Sequence, residues 1–382
     1  APAAAPGTEE ALASIRRRLV VRHPMQPFSP RYFEGEDPRL FSHASTWREG
    51  AEALRVAEAE TTSHEHAPLL RAPLPPLPPE ARRELALDHL VRFFRMPAAE
   101  LLKRRLRVNL SDYSRDRSDR EPMELGGLEE WKVGTRIIEH RLDDVPEPVS
   151  LALLRASGEL PHGVPGACRH ESLARAVEPI VQTARPLVQP GRLPNLEVDL
   201  TIDGTRIFGM LSDRYPSGIV SVQYAKLGAK NVLEAWIRHL ILGSLVDSPV
   251  ATILVTRGDK PDSATHLRLR PVADPQAFLQ DLLALYWQGQ SEPLLLFPRS
   301  SLAFARTRAA DKPVETALDE ARKEFSARFA PEGRDPHVQR LFADADVLAP
   351  GFTPFPHATP TLDFPTVSVR VFAPILEHME AS

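Results

Sequence analysis

The sequence predicts an α/β fold in which a mixed sheet is flanked by helices, and three observations carry that expectation. First, Leu196, Val198, Leu200 and Ile202 alternate with polar residues, the pattern of a half-buried strand. Second, Asp203-Gly204 marks a two-residue hairpin; residues 207 to 211 return, Pro216-Ser217-Gly218 turns, and residues 219 to 224 make a third strand. Third, Val232, Leu233, Trp236, Ile237, Leu240, Ile241 and Leu245 recur at helical spacing, so residues 229 to 246 form a helix with a broad buried face.

The other elements follow in order along the chain. Residues 9 to 20 are a short helix candidate. In Gln26-Pro27-Phe28-Ser29-Pro30-Arg31-Tyr32-Phe33, together with Pro24, the prolines forbid a helix, and the aromatics point to a segment laid over a partner surface. A helix is expected over about 46 to 60, ahead of the Pro-rich stretch from Leu74 to Pro79. Residues 81 to 94 place Leu85, Leu87, Leu90, Phe93 and Phe94 broadly on one side; Met96-Pro97 interrupts, and a second helix runs from 98 to 106. Phe93 and Phe94 read as core residues, although beside Arg92 and Arg95 an exposed pair would be able to stack bases. A helix over 128 to 142 has Leu128, Trp131, Ile137 and Ile138 as packing positions, and another covers 173 to 184. After the central segment come strands at 250 to 256 and 266 to 272 and a helix at 275 to 287. The remainder is mainly helical, interrupted by prolines after Leu348, with a final short helix near 371 to 379. The domain boundaries this implies are 1–60 as an N-terminal extension, 61–84 as a Pro-rich linker and 85–382 as the main domain.

Composition narrows the function classes. At 382 residues, with 42% hydrophobic and 26% charged residues, the chain can bury a sizeable core. A net charge of −4 gives no global nucleic-acid signature, so any DNA contact must come from local patches. Cys168 is the only cysteine, which excludes an intrachain disulfide framework and fits a reducing cytoplasm. No apolar run is long enough to span a bilayer, and no membrane partner is expected. The chain opens Ala-Pro-Ala-Ala-Ala-Pro-Gly without an initiator methionine, as expected for a piece of a longer protein cut at a flexible linker. The 38 prolines cluster at 73 to 79, 146 to 165 and 350 to 365, which read as stiff connections.

Charge is distributed unevenly. From Arg82 to Arg120 there are eleven Lys/Arg against six Asp/Glu; from Glu121 to Leu160 there are four against nine. This asymmetry is compatible with one DNA-facing and one protein-facing surface, and equally with two solvated helix faces of opposite sign. Arg82, Arg83, Arg92, Arg95, Arg104, Arg105 and Arg107 are the candidate DNA phosphate contacts.

The central segment also has the frame of a PD-(D/E)xK nuclease core. Active members of that class carry Gly-x-hydrophobic-Asp on one strand and Asp-x-Lys at the end of the next. Here the first slot reads Gly209-Met210-Leu211-Ser212 and the second Val222-Gln223-Tyr224-Ala225-Lys226. Metal-assisted phosphodiester cleavage needs clustered carboxylates to hold hard divalent cations. Ser212 and Gln223 are neutral, so the acid slots are degenerate, with Lys226 as the leftover lysine. Asp213 is one residue out of place and by strand alternation points to the wrong face. The rival reading is an active nuclease rebuilt from Asp199, Asp203 or Asp213.

Several stretches together resemble the C-terminal region of the gamma subunit (RecC) family of bacterial exodeoxyribonuclease V. They are residues 23 to 33 (HPMQPFSPRYF), 87 to 97 (LDHLVRFFRMP), 118 to 125 (SDREPMEL), 209 to 242 with Ala235-Trp236-Ile237-Arg238-His239-Leu240, and 292 to 298 (EPLLLFP). The resemblance runs in order through nearly the whole chain. It implies a degenerate nuclease-like domain, preceded over residues 1–60 by the end of a helicase-like domain. It also implies a non-catalytic role: bundling RecB-like and RecD-like motor subunits, helping to split duplex DNA, guiding the single strands, and, in the full subunit, recognition of Chi. Mg and ATP would be used by the partner subunits, and no Gly-x-x-x-x-Gly-Lys-[Ser/Thr] sequence is present in this chain. A pure assembly platform without DNA contact is the third reading. No cysteine–histidine or His-Glu-x-x-His metal spacing occurs; His64-Glu65-His66 lies in a polar loop, and His239 reads as a hydrogen-bonded structural histidine.

Overall fold

The structure, a computed structural model, describes residues 15–16, 18–35, 37–63, 69–110, 125–189, 191–260, 262–329, 331–343, 345–355 and 362–381. The helix expected at 9 to 20 falls largely outside these, as do His64-Glu65-His66 and residues 118–124. The chain divides into two units, Ala1–Ala67 and Pro68–Ser382.

In the first unit, helix α1 (Ser45–Ser63) follows a 3₁₀ turn at Pro30–Tyr32, where proline at the start supplies the right φ. The Tyr32 hydroxyl donates to the Pro24 carbonyl at 3.1 Å, and its ring stacks on His23. Phe28 meets Trp47. These aromatics therefore have partners within the unit, while Met25 and Phe41 are exposed.

The second unit starts with strand β1 (Glu84–Ala86), α2 (Leu87–Arg95) and α3 (Pro97–Arg105). The single helix expected from 81 to 94 is instead a 3₁₀ turn at Pro79–Arg82, then β1, then α2. Leu85 and Leu87 suit a strand as well as a helix, and tertiary pairing decides: β1 lies parallel to a later strand, with Leu85 opposite Ile207. Next come α4 (Gly127–Leu142), α5 (Glu147–Ala156) and α6 (Gly163–Val188). The stiff connection expected over 146 to 165 thus contains a helix, because Pro148 sits in a first turn where no intrahelical amide bond is lost. Helix α6 likewise begins ten residues before its expected start.

Strands β2 (Leu196–Ile202) and β3 (Thr205–Leu211) pair antiparallel through the Asp203-Gly204 turn. The meander was expected to continue into one sheet, but the chain leaves it at Ser212. Strands β4 (Arg214–Tyr215) and β5 (Gly218–Lys226) open a second sheet, in which β5 runs parallel to β6 (Thr252–Arg257). The orders are β1-β3-β2 and β4-β5-β6-β7-β8, where β7 is Ala264–Leu269 and β8, a short strand at the chain's end, is Met379–Ala381. Asp213 has φ 57°, and this left-handed residue turns the chain from one sheet into the other.

Helix α7 (Ala229–Leu245) joins the sheets. Trp236, Ile237, Leu240 and Ile241 share one core with Val198, Ile207 and Leu211 of the first sheet and with Ile219, Leu254 and Leu267 of the second. Phe93 and Phe94 of α2 are fully buried in the same core, so they are not base-stacking surfaces. Helices α8 (Pro275–Gln288) and α12 (Phe364–His378) close it. A second core joins α3 to α9 (Pro298–Ala309), α10 (Val314–Phe325) and α11 (Pro336–Phe342). A third packs α4 and α6 on Tyr224, Ile253 and Val255. Among the described residues no helix is long and apolar enough to cross a membrane.

His239 is buried on α7. Its Nε2 lies 3.0 Å from the Arg270 carbonyl and its Nδ1 3.0 Å from the Thr252 hydroxyl. A carbonyl only accepts, so Nε2 carries the proton and Nδ1 accepts from Thr252. Burial, aided by repulsion from His378, pushes this imidazole down to about 4, against the opposing hydrogen bond to Arg270. Between its unfolded value of about 6.5 and the folded value the unfolded chain binds the extra proton, so stability is full above that window and falls through it as pH drops. His239→Gln is expected to flatten this acid limb, worth about 3 kcal/mol, in urea unfolding measured from pH 7 to pH 4.

Candidate functional site

A cleft of about 970 Å³ opens between α4, the β4–β5 hairpin, the start of α7 and the end of α2. Helix α4 contributes Leu128, Trp131, Thr135, Ile138, Glu139 and Leu142, spaced by one to four residues and therefore one stripe. The opposite wall is built from Asp213, Tyr215, Ser221, Gln223, Asn231 and Glu234. The helix can lie this close to the sheet because Gly134 sits over Tyr224: a Cβ at that glycine would come within 2.3 Å of the Tyr224 ring.

Only one of the two neutral slots lines the cleft. Gln223 faces the cleft and belongs to a hydrogen-bonded chain, in which Asn231 Nδ2 donates to Gln223 Oε1 at 2.6 Å and Gln223 Nε2 donates to Ser221 Oγ at 3.0 Å. Ser212 is half-buried outside the lining and donates to Asp213 at 3.4 Å. Lys226, expected as the leftover lysine, is exposed, away from the cleft lining, and paired with Asp259 at 3.3 Å. An irregularity in β5 between Val222 and Lys226 breaks the alternation on which that expectation relied. Asp213 departs from expectation in the other direction: it lies in the cleft, because its positive φ takes it out of strand geometry.

The acids of the rival reading do not converge. Asp199 is held by Arg206 at 2.8 and 3.0 Å, and the guanidinium keeps its carboxyl below the usual carboxylate range. Asp203 accepts from Gln280 at 3.2 Å. It sits at the opposite end of β3 from Asp213, roughly 20–30 Å away at about 3.3 Å per residue. Asp213 pairs with Arg192 at 3.2 Å. Among the described residues no three His, Cys, Asp or Glu side chains form a group that could hold a metal ion.

Four of the seven candidate arginines are engaged within the fold. Arg95 lines the cleft and is bound to Glu234 at 2.7 Å. Arg104 pairs with Glu100 at 3.0 Å. Arg105 donates to the carbonyls of Gln290 and Pro75, tying the Pro-rich segment to the end of α8. Arg82 lies over the Trp287 ring. Arg92 donates through Nε to the Asp88 carbonyl and is otherwise exposed, as are Arg83 and Arg107.

Residues 82–309 match the family model of the RecC C-terminal domain, more than half of the chain. The chain belongs to the RecC C-terminal domain family. It is 24% identical over 347 residues to the RecBCD enzyme subunit RecC of Escherichia coli, covering 87% of this chain and 29% of that protein. It is 29% identical over 309 residues to the RecBCD enzyme subunit RecC of Mycolicibacterium smegmatis (78% and 27%) and 30% identical over 304 residues to that of Mycobacterium tuberculosis (78% and 26%). The chain thus spans under a third of the length of these curated relatives.

Sequence reasoning missed Trp131, Leu128, Glu139, Asp143, Arg192, Asn231 and Glu234 as cleft residues. One signal was available: α4 has two apolar stripes, Val133 with Ile137 and Leu128 with Trp131, where one would suffice for packing. Only the first is buried; Trp131 and Leu128 are 40% and 58% exposed. Gly134→Ala is expected to destabilise the chain by about 1–3 kcal/mol in denaturant unfolding, because α4 must lift off Tyr224.

Proposed function

We propose that this chain is a non-catalytic, DNA-handling scaffold built on a degenerate PD-(D/E)xK fold within a RecC-type subunit. In this reading the subunit belongs to a helicase–nuclease complex that processes DNA ends for recombination and repair. The carrying observation is that where the nuclease frame calls for carboxylates, Gln223 offers an amide locked between Ser221 and Asn231, and Ser212 a hydroxyl outside the cleft. Neutral donors give a divalent cation too little attraction to activate water. Mg chemistry does not fit these residues, and ATP hydrolysis and cutting fall to RecB-like and RecD-like partners. Duplex splitting and strand guidance belong to this domain in the assembled subunit, and Chi recognition to the full-length subunit.

Of the seven candidate arginines, Arg83, Arg92 and Arg107 keep guanidinium donors toward solvent and are the proposed phosphate contacts. Arg82, Arg95, Arg104 and Arg105 act mainly within the fold.

Three measurements check this. The purified chain is expected to leave linear and forked DNA intact with Mg²⁺ or Mn²⁺, and to co-purify with the motor subunits. Metal-dependent cleavage abolished by Asp213→Asn would overturn the reading in favour of an active nuclease. Replacing Arg83, Arg92 and Arg107 together by glutamate is expected to weaken forked-DNA binding and to reduce the slope of log affinity against log salt by roughly 2–3. An unchanged slope would remove these residues from the interface.

A further inference from the structure

The cleft has a charge and an apolar stripe that the DNA reading leaves unused. Its ionisable lining is Arg95 and Arg192 against Glu139, Asp143, Asp213 and Glu234, a net charge of −2. Both arginines are already engaged, Arg95 by Glu234 and Arg192 by Asp213. Among the described residues Glu139 and Asp143 make no direct ion pair, although Asp143 adds to the field at Arg192; both stand at the C-terminal end of α4, where the helix dipole adds partial negative charge, and Asp143 is the residue that ends the helix. A phosphate backbone approaching this wall would be repelled, whereas protein grooves that bind nucleic acid are positively charged. A lysine or arginine would be attracted.

The same stripe of α4 supplies the apolar part. Leu128 and Trp131 are exposed toward the cleft roughly three to four turns before Asp143, and between them and the acids lies the Thr135 hydroxyl, buried without a hydrogen-bond partner. From Leu128 to Asp143 the helix rises roughly 20 Å, the length of about six extended residues. Charge and shape therefore favour an extended polypeptide over a nucleic-acid strand.

We propose that the cleft receives an extended segment of a partner protein, with an apolar side chain against Leu128 and Trp131 and a lysine or arginine at Glu139 and Asp143. The source of the segment, another subunit of the same complex, rests on the function proposed above. The cleft takes the place of a nuclease centre and serves as an assembly socket.

The test uses the whole chain with short overlapping labelled peptides tiled through the RecB-like and RecD-like subunits of the same organism, read by fluorescence anisotropy. Labelled oligothymidylate is the nucleic-acid probe. A few tiles that place an apolar residue near a Lys or Arg are expected to bind, and the double variant Glu139→Lys/Asp143→Lys to weaken them about tenfold or more. The near-isosteric pair Glu139→Gln/Asp143→Asn gives a smaller loss in the same direction and serves if charge reversal disturbs folding. Trp131→Ala weakens the same tiles, while Phe329→Ala, outside the cleft, changes nothing. Absence of binding by any tile, or tile binding indifferent to both acid pairs, overturns the proposal. So does oligothymidylate binding that Trp131→Ala abolishes, which would make the cleft a strand-binding groove. Co-purification with the motor subunits separates the two levels: assembly without any cleft-binding tile defeats the socket alone, and loss of assembly defeats the function reading.

Discussion

Burial of α7 between two sheets is the interaction on which the rest of the second unit depends. Neither sheet is large enough to cover its own apolar face. Val198, Ile207 and Leu211 on one, and Ile219, Leu254 and Leu267 on the other, bury that surface against Trp236, Ile237, Leu240 and Ile241. Each fully buried aliphatic side chain of this kind stabilises by about 1.5–3 kcal/mol relative to exposure. Few positions on the helix are left for polar groups, so His239 is held neutral and hydrogen-bonded instead of exposed.

That arrangement also creates the cleft. Because α7 anchors both sheets, its first turns are fixed beside β5, and Asn231 and Glu234 are presented to Gln223 and Arg95. Helix α4 lies across the same strand at the distance Gly134 permits. The cleft wall facing α4 is a network of amides, a hydroxyl and two ion pairs. These groups satisfy one another, which lowers the cost of holding them in that wall.

The arginines show how a charge-rich sequence can mislead about its surface. Residues 82 to 107 look like a basic face when counted. In three dimensions Arg95 and Arg104 neutralise carboxylates, and Arg105 fastens a Pro-rich segment through two carbonyls. A guanidinium with five donors on a planar fork is suited to that bracing, so local charge density overstated the exposed charge.

The sequence by itself determined the α/β class, the β2–β3 hairpin, the buried face of α7, the structural role of His239 and the family. These rest on periodicity, turn chemistry and ordered residue matches, all local or collinear. Tertiary structure decided the split into two sheets, the strand character of Glu84–Ala86 and Met379–Ala381, and the membership of the cleft. Alternation predicts side-chain direction only while the backbone stays extended, so the positive φ at Asp213 and the irregularity before Lys226 exchanged their places. An apolar stripe likewise does not name its partner: α4 has two, and packing against Tyr224 chose Val133 and Ile137 for the core and left Leu128 and Trp131 to the cleft.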